Sequence, residues 1–171
     1  MSIRQGHKGA PRAHDGLGVA ERLVLEGYRH AGHRPADCAA AARQRLRHLY
    51  GAALSGRDVR QALAALDQFV ATLGLCARCP LHLCEAGSPR ICDDERLILA
   101  LIAAIQNGDD ALAETCLRAL TCHRRCEELA VAAGSFALIM KALGQTLAPV
   151  PGHAVDEVLA VRAGAAGTTM H

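Results

Sequence analysis

A nearly unbroken apolar segment, residues 97–105, is the feature that most constrains the fold of this chain. Three acidic residues, Asp93, Asp94 and Glu95, precede the segment and favour the start of a helix, because their charges complement the helix dipole. The Asn107-Gly108 pair after it favours a helix end. A helix that is apolar on all sides is stable only where other elements cover it. The segment therefore predicts a central helix surrounded by the rest of the domain.

The types of apolar residue favour helices around that segment as well. Hydrophobic residues make up 51% of the chain but aromatic residues only 2%, so Leu, Ile, Val and Ala must form the core. Such a composition suits close-packed helices, whereas sheets are enriched in β-branched and aromatic side chains. A chain of 171 residues can bury one such core without crosslinks.

Apolar residues recur with helical period along most of the chain. One stripe runs from Val59 to Leu73 and is followed by Gly74, which predicts a helix end there. Another stripe begins at Leu129, and extending it backwards places Cys126 and Cys122 on the core-facing side of the same helix. The predicted helices cover residues 17–28, 36–54, 58–73, 93–106, 110–120 and 122–147, with a further short one allowed at 156–162.

The pattern as a whole predicts an all-α fold, a single bundle of five or six helices with a cysteine-rich loop and flexible termini. Residues 1–15 lack periodicity and are predicted to be a flexible N-terminal tail. Residues 16–147 form the helical domain. Residues 148–171, which are rich in Gly, Ala, Thr and Pro, are predicted to be a mostly flexible C-terminal tail.

Four of the eight cysteines lie close together, with the spacing C-x2-C-x4-C-x7-C, in the loop before the central helix. Two thiolates separated by two residues can bind one metal ion from a tight turn. We predict a metal site in this loop, either tetrahedral zinc or an iron–sulfur cluster, since the ligand count fits both and the spacing decides neither. The predicted ligands are Cys76, Cys79, Cys84 and Cys92, and His82 is a candidate to replace one of them.

A second group of cysteines lies at the junction of the fifth and sixth predicted helices. If this junction faces the loop, Cys122 and Cys126 form a composite metal site with Cys76 and Cys79. The alternative is that both are core residues, because they continue the apolar stripe of the sixth helix. His123 beside them is a further candidate ligand.

Other classes of function are disfavoured. A formal charge of +2, from 19 basic and 17 acidic residues, gives no field that would attract nucleic acid or an anionic membrane, and few aromatic side chains are present to stack on bases. No nucleotide-binding, serine-hydrolase or zinc-protease motif occurs, so an enzyme is not expected. The first residues do not resemble a secretory signal, and no apolar run reaches the length of a membrane span. We therefore expect a cytoplasmic protein without membrane contact.

Three functions fit these patterns. In a reducing cytoplasm, clustered cysteines favour metal ligation over structural disulfides. We expect a metal-binding accessory or regulatory protein whose site fixes a loop that another protein recognises. One alternative is a metal-free thiol redox sensor that uses Cys76 and Cys79, or Cys122 and Cys126. The other is a helical interaction module with structural cysteines, and its Ala-rich helix faces leave room for a homodimer.

Overall fold

A computed structural model describes residues 16–32, 39–77, 81–122 and 126–167. Within these ranges the chain forms seven α-helices and no strand, so the all-α class is confirmed and the predicted number of five or six helices is too low. None of these helices is both long and apolar enough to span a bilayer. The helices are α1 Val19–Gly32, α2 Ala39–Gly51, α3 Gly56–Cys76, α4 Asp93–Asn107, α5 Asp110–Leu120, α6 Cys126–Ala142 and α7 Gly152–Gly167.

The central position predicted for the apolar helix is confirmed for α4. Every residue from 97 to 104 is buried, and α4 packs against α1, α5, α6 and α7. Gly108 ends the helix in the left-handed conformation, with φ of 74°, and donates its N–H to carbonyls of the last turn. Asp109 then accepts the N–H of Leu112 and so caps α5.

Two buried aromatic side chains join α3 to α6. The rings of Phe69 and Phe136 stack with their centroids 5.7 Å apart, and both side chains are fully buried.

Helix α3 continues beyond Gly74, where its end was predicted, and reaches Cys76. This extension buries Cys76 together with Leu73, so the core contacts of its last turn outweigh the weak helix preference of glycine.

Close contact with α2 fixes the position of α1. The hydroxyl of the fully buried Tyr50 donates to the carbonyl of Leu23 at 3.0 Å, and burial raises the pKa of that hydroxyl. Gly27 allows the two helices to approach, because a Cβ at this position would lie 2.5 Å from the Tyr50 oxygen. The contact holds α1 in place two residues before Arg29.

The seventh helix accounts for the difference in helix number. It occupies residues that the sequence assigned mostly to a flexible tail, where only a short helix was allowed. Val155 and Val158 are buried, and Arg162 forms an ion pair with Asp94 at the start of α4 and donates to the carbonyl of Ala119. Docking on α4 and α5 thus stabilises a helix whose own apolar pattern is weak.

The stacked phenylalanines provide a test of the core. Phe69→Ala should lower the free energy of unfolding by about 3–5 kcal/mol, because it removes a fully buried ring and leaves a cavity. Val131→Ala on α6 is a control, since Val131 is 67% exposed, and its effect should stay within about 0.5 kcal/mol. Denaturant unfolding measures both values, and similar losses for the two variants would contradict this packing.

Candidate metal centre

A buried arginine organises the loop between α3 and α4. Arg29 of α1 is 1% exposed, and its five N–H groups have five acceptors. Nε and Nη2 donate to the two carboxylate oxygens of Glu95 at 2.7 and 2.9 Å, and Nη1 donates to Glu26 at 2.8 Å. The remaining bonds reach the carbonyls of Ser88 and Arg90 in the loop. The guanidinium therefore links α1, α4 and the loop.

The two carboxylates of this network also bind the loop backbone. Glu95 Oε1 accepts the N–H of Cys84, and Glu95 Oε2 accepts the N–H of Cys92, each at 3.0 Å. Glu26 Oε2 accepts the N–H of Gly87 at 2.9 Å. The bond from Cys92 to Glu95, three residues later, is one half of a capping box at the start of α4. The path of the loop is thus fixed through its main chain.

Glu95 stays ionised although its side chain is fully buried. Burial by itself opposes ionisation of the carboxyl. The hydrogen bonds from Arg29 and from the N–H groups of Cys92 and Cys84 together outweigh that effect, so the pKa of Glu95 is lowered. Burial likewise opposes the charge of Arg29, and the bonds to Glu95 and Glu26 raise its pKa.

The same network places two thiols beside Glu95. The Sγ atoms of Cys84 and Cys92 and a carboxylate oxygen of Glu95 all lie within 4.8 Å of one another. Both cysteines are half-buried and neither forms a disulfide. Among the residues that the structure describes, this is the one set of three Cys, His, Asp or Glu ligand atoms at such spacing. Its donors are suited to a metal ion.

Both thiols keep their protons at neutral pH, because the pKa of each is raised above its ordinary value. Burial raises the pKa of Cys84, and the charge of Glu95 and a hydrogen bond to it raise that pKa further. Burial also raises the pKa of Cys92 to about 12. The Cys92 thiol donates to the carbonyl of His82 at 3.1 Å. Binding of a metal ion at this pair must therefore release protons.

Cys76, a predicted ligand of the loop site, lies at the buried end of α3, where its thiol donates to Glu128 at 3.5 Å. Its carbonyl accepts the N–H of Cys122 at 3.2 Å, and an antiparallel bridge joins the adjacent residues Ala77 and Thr121. The structure thus brings the end of α3 to the junction of α5 and α6, which is the proximity that a composite site requires.

The predicted relation between Cys122 and Cys126 differs in the structure. Cys126 begins α6, whereas Cys122 precedes the helix, so the two are not one turn apart on a single helix face. Both are half-buried, and the Cys126 sulfur lies 2.8 Å from the hydroxyl oxygen of Thr121. The stripe that starts at Leu129 does face the core, as predicted.

Of the remaining candidate ligands, only His82 lies in the described part of the chain, and it adds no donor to the three-atom group. Cys79 and His123 lie outside the described residues. The side chain of His82 is exposed, and its main-chain N–H donates to Asp94 at 2.7 Å. The four-cysteine loop site and the composite site both stay predictions.

The sequence does not reveal the roles of the charged residues that build the site. The helix dipole alone explains the acidic run in the first turn of α4, and that explanation hides the separate role of Glu95. The spacing from Cys92 to Glu95 is that of a capping box, which was the available signal. No local pattern marks Arg29, because its partner Glu95 lies 66 residues away.

Removing the arginine tests the network. Arg29→Met should lower the free energy of unfolding by about 3–5 kcal/mol, because it leaves the buried carboxylate of Glu95 without its counter-charge. Arg43→Met is a matched control, since Arg43 pairs with Asp67 through a side chain that is 55% exposed, and it should cost about 0–1 kcal/mol. Urea unfolding compares the two variants, and equal losses would contradict a structural role for Arg29.

Acid should weaken the network in a defined direction. Because the pKa of Glu95 in the fold is below its ordinary value of 4.5, its carboxylate stabilises the fold above pH 4.5, and this contribution is lost as the pH falls through the folded pKa. Glu95→Gln removes that contribution. Unfolding free energies measured between about pH 7 and pH 3 should therefore fall more steeply for the wild type than for Glu95→Gln. Parallel curves would exclude Glu95 as the source.

The chain matches no protein-family model, no curated protein and no solved structure. Among the described residues, the group of Cys84, Cys92 and Glu95 is the arrangement with the clearest chemistry.

Proposed function

We propose that this chain is a metal-binding accessory or regulatory protein that binds a thiophilic ion at Cys84 and Cys92, beside Glu95. The observation that carries the proposal is the approach of three ligand atoms to within 4.8 Å of one another. Thiolates prefer soft and borderline ions such as zinc, cadmium and monovalent copper. The cytoplasm is the compartment we propose, because its reducing conditions keep such thiols available.

The loop backbone supports binding because it is already ordered. Glu95 fixes the main-chain N–H groups of both cysteines. Binding of an ion therefore does not carry the entropic cost of ordering the chain around it. Only the thiol protons must leave and the side chains adjust. The loop from residue 81 to residue 92, whose backbone these hydrogen bonds fix, is the surface that a protein partner would recognise. Binding of an ion at the two thiols would change that surface.

Zinc and an iron–sulfur cluster both belong to this proposal as candidate cofactors. Each is ordinarily held by four protein ligands, so either would also recruit Cys76 and Cys79. Cys79→Ser tests this extension. Loss of the bound ion in that variant would support the four-cysteine site, and unchanged binding would confine the site to Cys84 and Cys92.

The direct test is a cadmium titration of the full-length, reduced protein. Cadmium forms a thiolate charge-transfer band in the ultraviolet, and this band reports on the thiols whichever ion is physiological. Cys84→Ser/Cys92→Ser should bind one cadmium ion fewer per chain than the wild type. Serine keeps a hydroxyl at each position, so the double variant should retain the helical circular dichroism spectrum.

Cys38→Ser is the control for thiol number, because it removes a cysteine without changing either proposed ligand. It should bind as much cadmium as the wild type. Equal stoichiometry in the wild type and in the Cys84/Cys92 double variant would refute the proposal.

Metal affinity should depend on pH through the two protonated thiols. Binding replaces two S–H protons, so the affinity should rise by about 100-fold per pH unit between pH 6 and pH 8. The pKa of Cys92 is about 12 and that of Cys84 is raised, so both protons remain bound throughout this range. Calorimetry in buffers of different ionisation enthalpy counts the protons, and release of none would mean that carboxylates alone bind the ion.

A reversible disulfide between Cys84 and Cys92 is the second candidate, favoured by the proximity of the two sulfurs. It would make the protein a metal-free redox sensor with a different cysteine pair from those predicted. The raised pKa of both thiols disfavours the thiolate that attacks an oxidant. Incubation with oxidised glutathione followed by mass spectrometry tests it. A mass lower by two hydrogens, lost in the double variant, would support the sensor.

A further inference from the structure

The geometry points to monovalent copper as the ion of this site: we propose that Cys84 and Cys92 alone bind Cu(I), in preference to zinc. This inference rests on the proposed function, since it names the ion that the same two thiols take. Binding is a simple exchange in which one Cu(I) ion replaces two thiol protons, forms two Cu–S bonds and releases two protons. No change of oxidation state is involved.

The third atom of the group is already committed to other bonds. Each oxygen of Glu95 accepts a hydrogen bond from Arg29 and another from the N–H of Cys84 or Cys92. Coordination of a metal by this carboxylate would disrupt those bonds and leave the buried Arg29 short of its counter-charge. Glu95 therefore acts as the group that orients the two cysteines, and it does not complete the coordination sphere.

Two sulfur ligands satisfy some ions and not others. Zinc in proteins ordinarily has four ligands in tetrahedral geometry, and at this pair it would lack two of them unless water supplied them. Monovalent copper is a soft ion that favours thiolates and is stable with two of them in a near-linear arrangement. In the described ranges of the chain, no further Cys, His, Asp or Glu atom joins Cys84, Cys92 and Glu95 within 4.8 Å.

Charge acts against copper but is the smaller factor. A copper ion with two thiolates carries one negative charge, whereas a zinc ion with two thiolates is neutral, and the adjacent trio of Glu26, Arg29 and Glu95 is itself negative by one charge. Both cysteines are only half-buried, so water screens this repulsion. The number of available ligands should therefore decide between the ions.

Competition under anaerobic conditions tests the preference on the full-length protein. Cu(I) is titrated against the chelator bathocuproine disulfonate and Zn(II) against a chromophoric zinc chelator, with wild type, Cys84→Ser/Cys92→Ser and Cys79→Ser. Ions that the wild type binds and Cys84→Ser/Cys92→Ser does not bind are assigned to this site. At this site Cu(I) should bind at least about 100-fold more tightly than zinc, because zinc lacks two of its four ligands. X-ray absorption should show two sulfur neighbours around copper.

The outcomes separate this inference from the function on which it rests. Zinc binding that depends on both cysteines and is tighter than copper binding would overturn the copper assignment and leave the metal-binding proposal intact. Three or more sulfur neighbours, or loss of copper from Cys79→Ser, would also overturn the two-ligand site. If cadmium, copper and zinc all bind equally to the wild type and to the double variant, both proposals fail. Unchanged copper binding in Cys79→Ser supports the inference.

Discussion

The ion pair between Arg29 and Glu95 is the interaction on which the cysteine loop depends. Both side chains are fully buried, and an isolated charge at either position would be strongly unfavourable. The cost of desolvation is offset because every N–H of the guanidinium and both oxygens of the carboxylate are hydrogen-bonded. Several of those partners are main-chain groups of the loop. Without the pair, the segment from residue 81 to residue 92 would lose most of the contacts described between its backbone and the helices.

This arrangement fixes the path of the loop through polar contacts, in addition to the packing of Leu81, Leu83 and Ile91 against the core. Loops are usually the mobile parts of a domain, and their backbone groups usually bind water. Here the buried charges of Arg29, Glu26 and Glu95 replace that water for five loop groups. The ion pair between Arg162 and Asp94 extends the polar layer to α7, because Asp94 binds the N–H of His82 through its other oxygen. Three helices and the loop thus meet in one layer of charged side chains.

The sequence predicted those parts of the structure that depend on local pattern. The apolar run of α4 and the stripe of α6 needed only helical period and burial, and the all-α class followed from them. The sequence was less predictive for helices whose presence or length depends on contacts with distant residues. α7 is stabilised by docking and by Arg162, and α3 continues past Gly74 because its last turn is buried. The sequence placed Cys84 and Cys92 together as part of the four-cysteine prediction, and the capping-box spacing could have marked Glu95. The partnership of Glu95 with Arg29 spans 66 residues and has no local signal.

The way in which the loop is held has a consequence for how relatives of this chain would be recognised. The network contacts the loop through backbone atoms of Gly87, Ser88 and Arg90. Selection on the network therefore places little restraint on the side chains of Ser88 and Arg90. The identity of the charged residues is restrained instead. A lineage that kept this architecture should therefore preserve E-x2-R in its first helix and a glutamate in the first turn of its central helix, even after the intervening loop sequence had diverged beyond alignment.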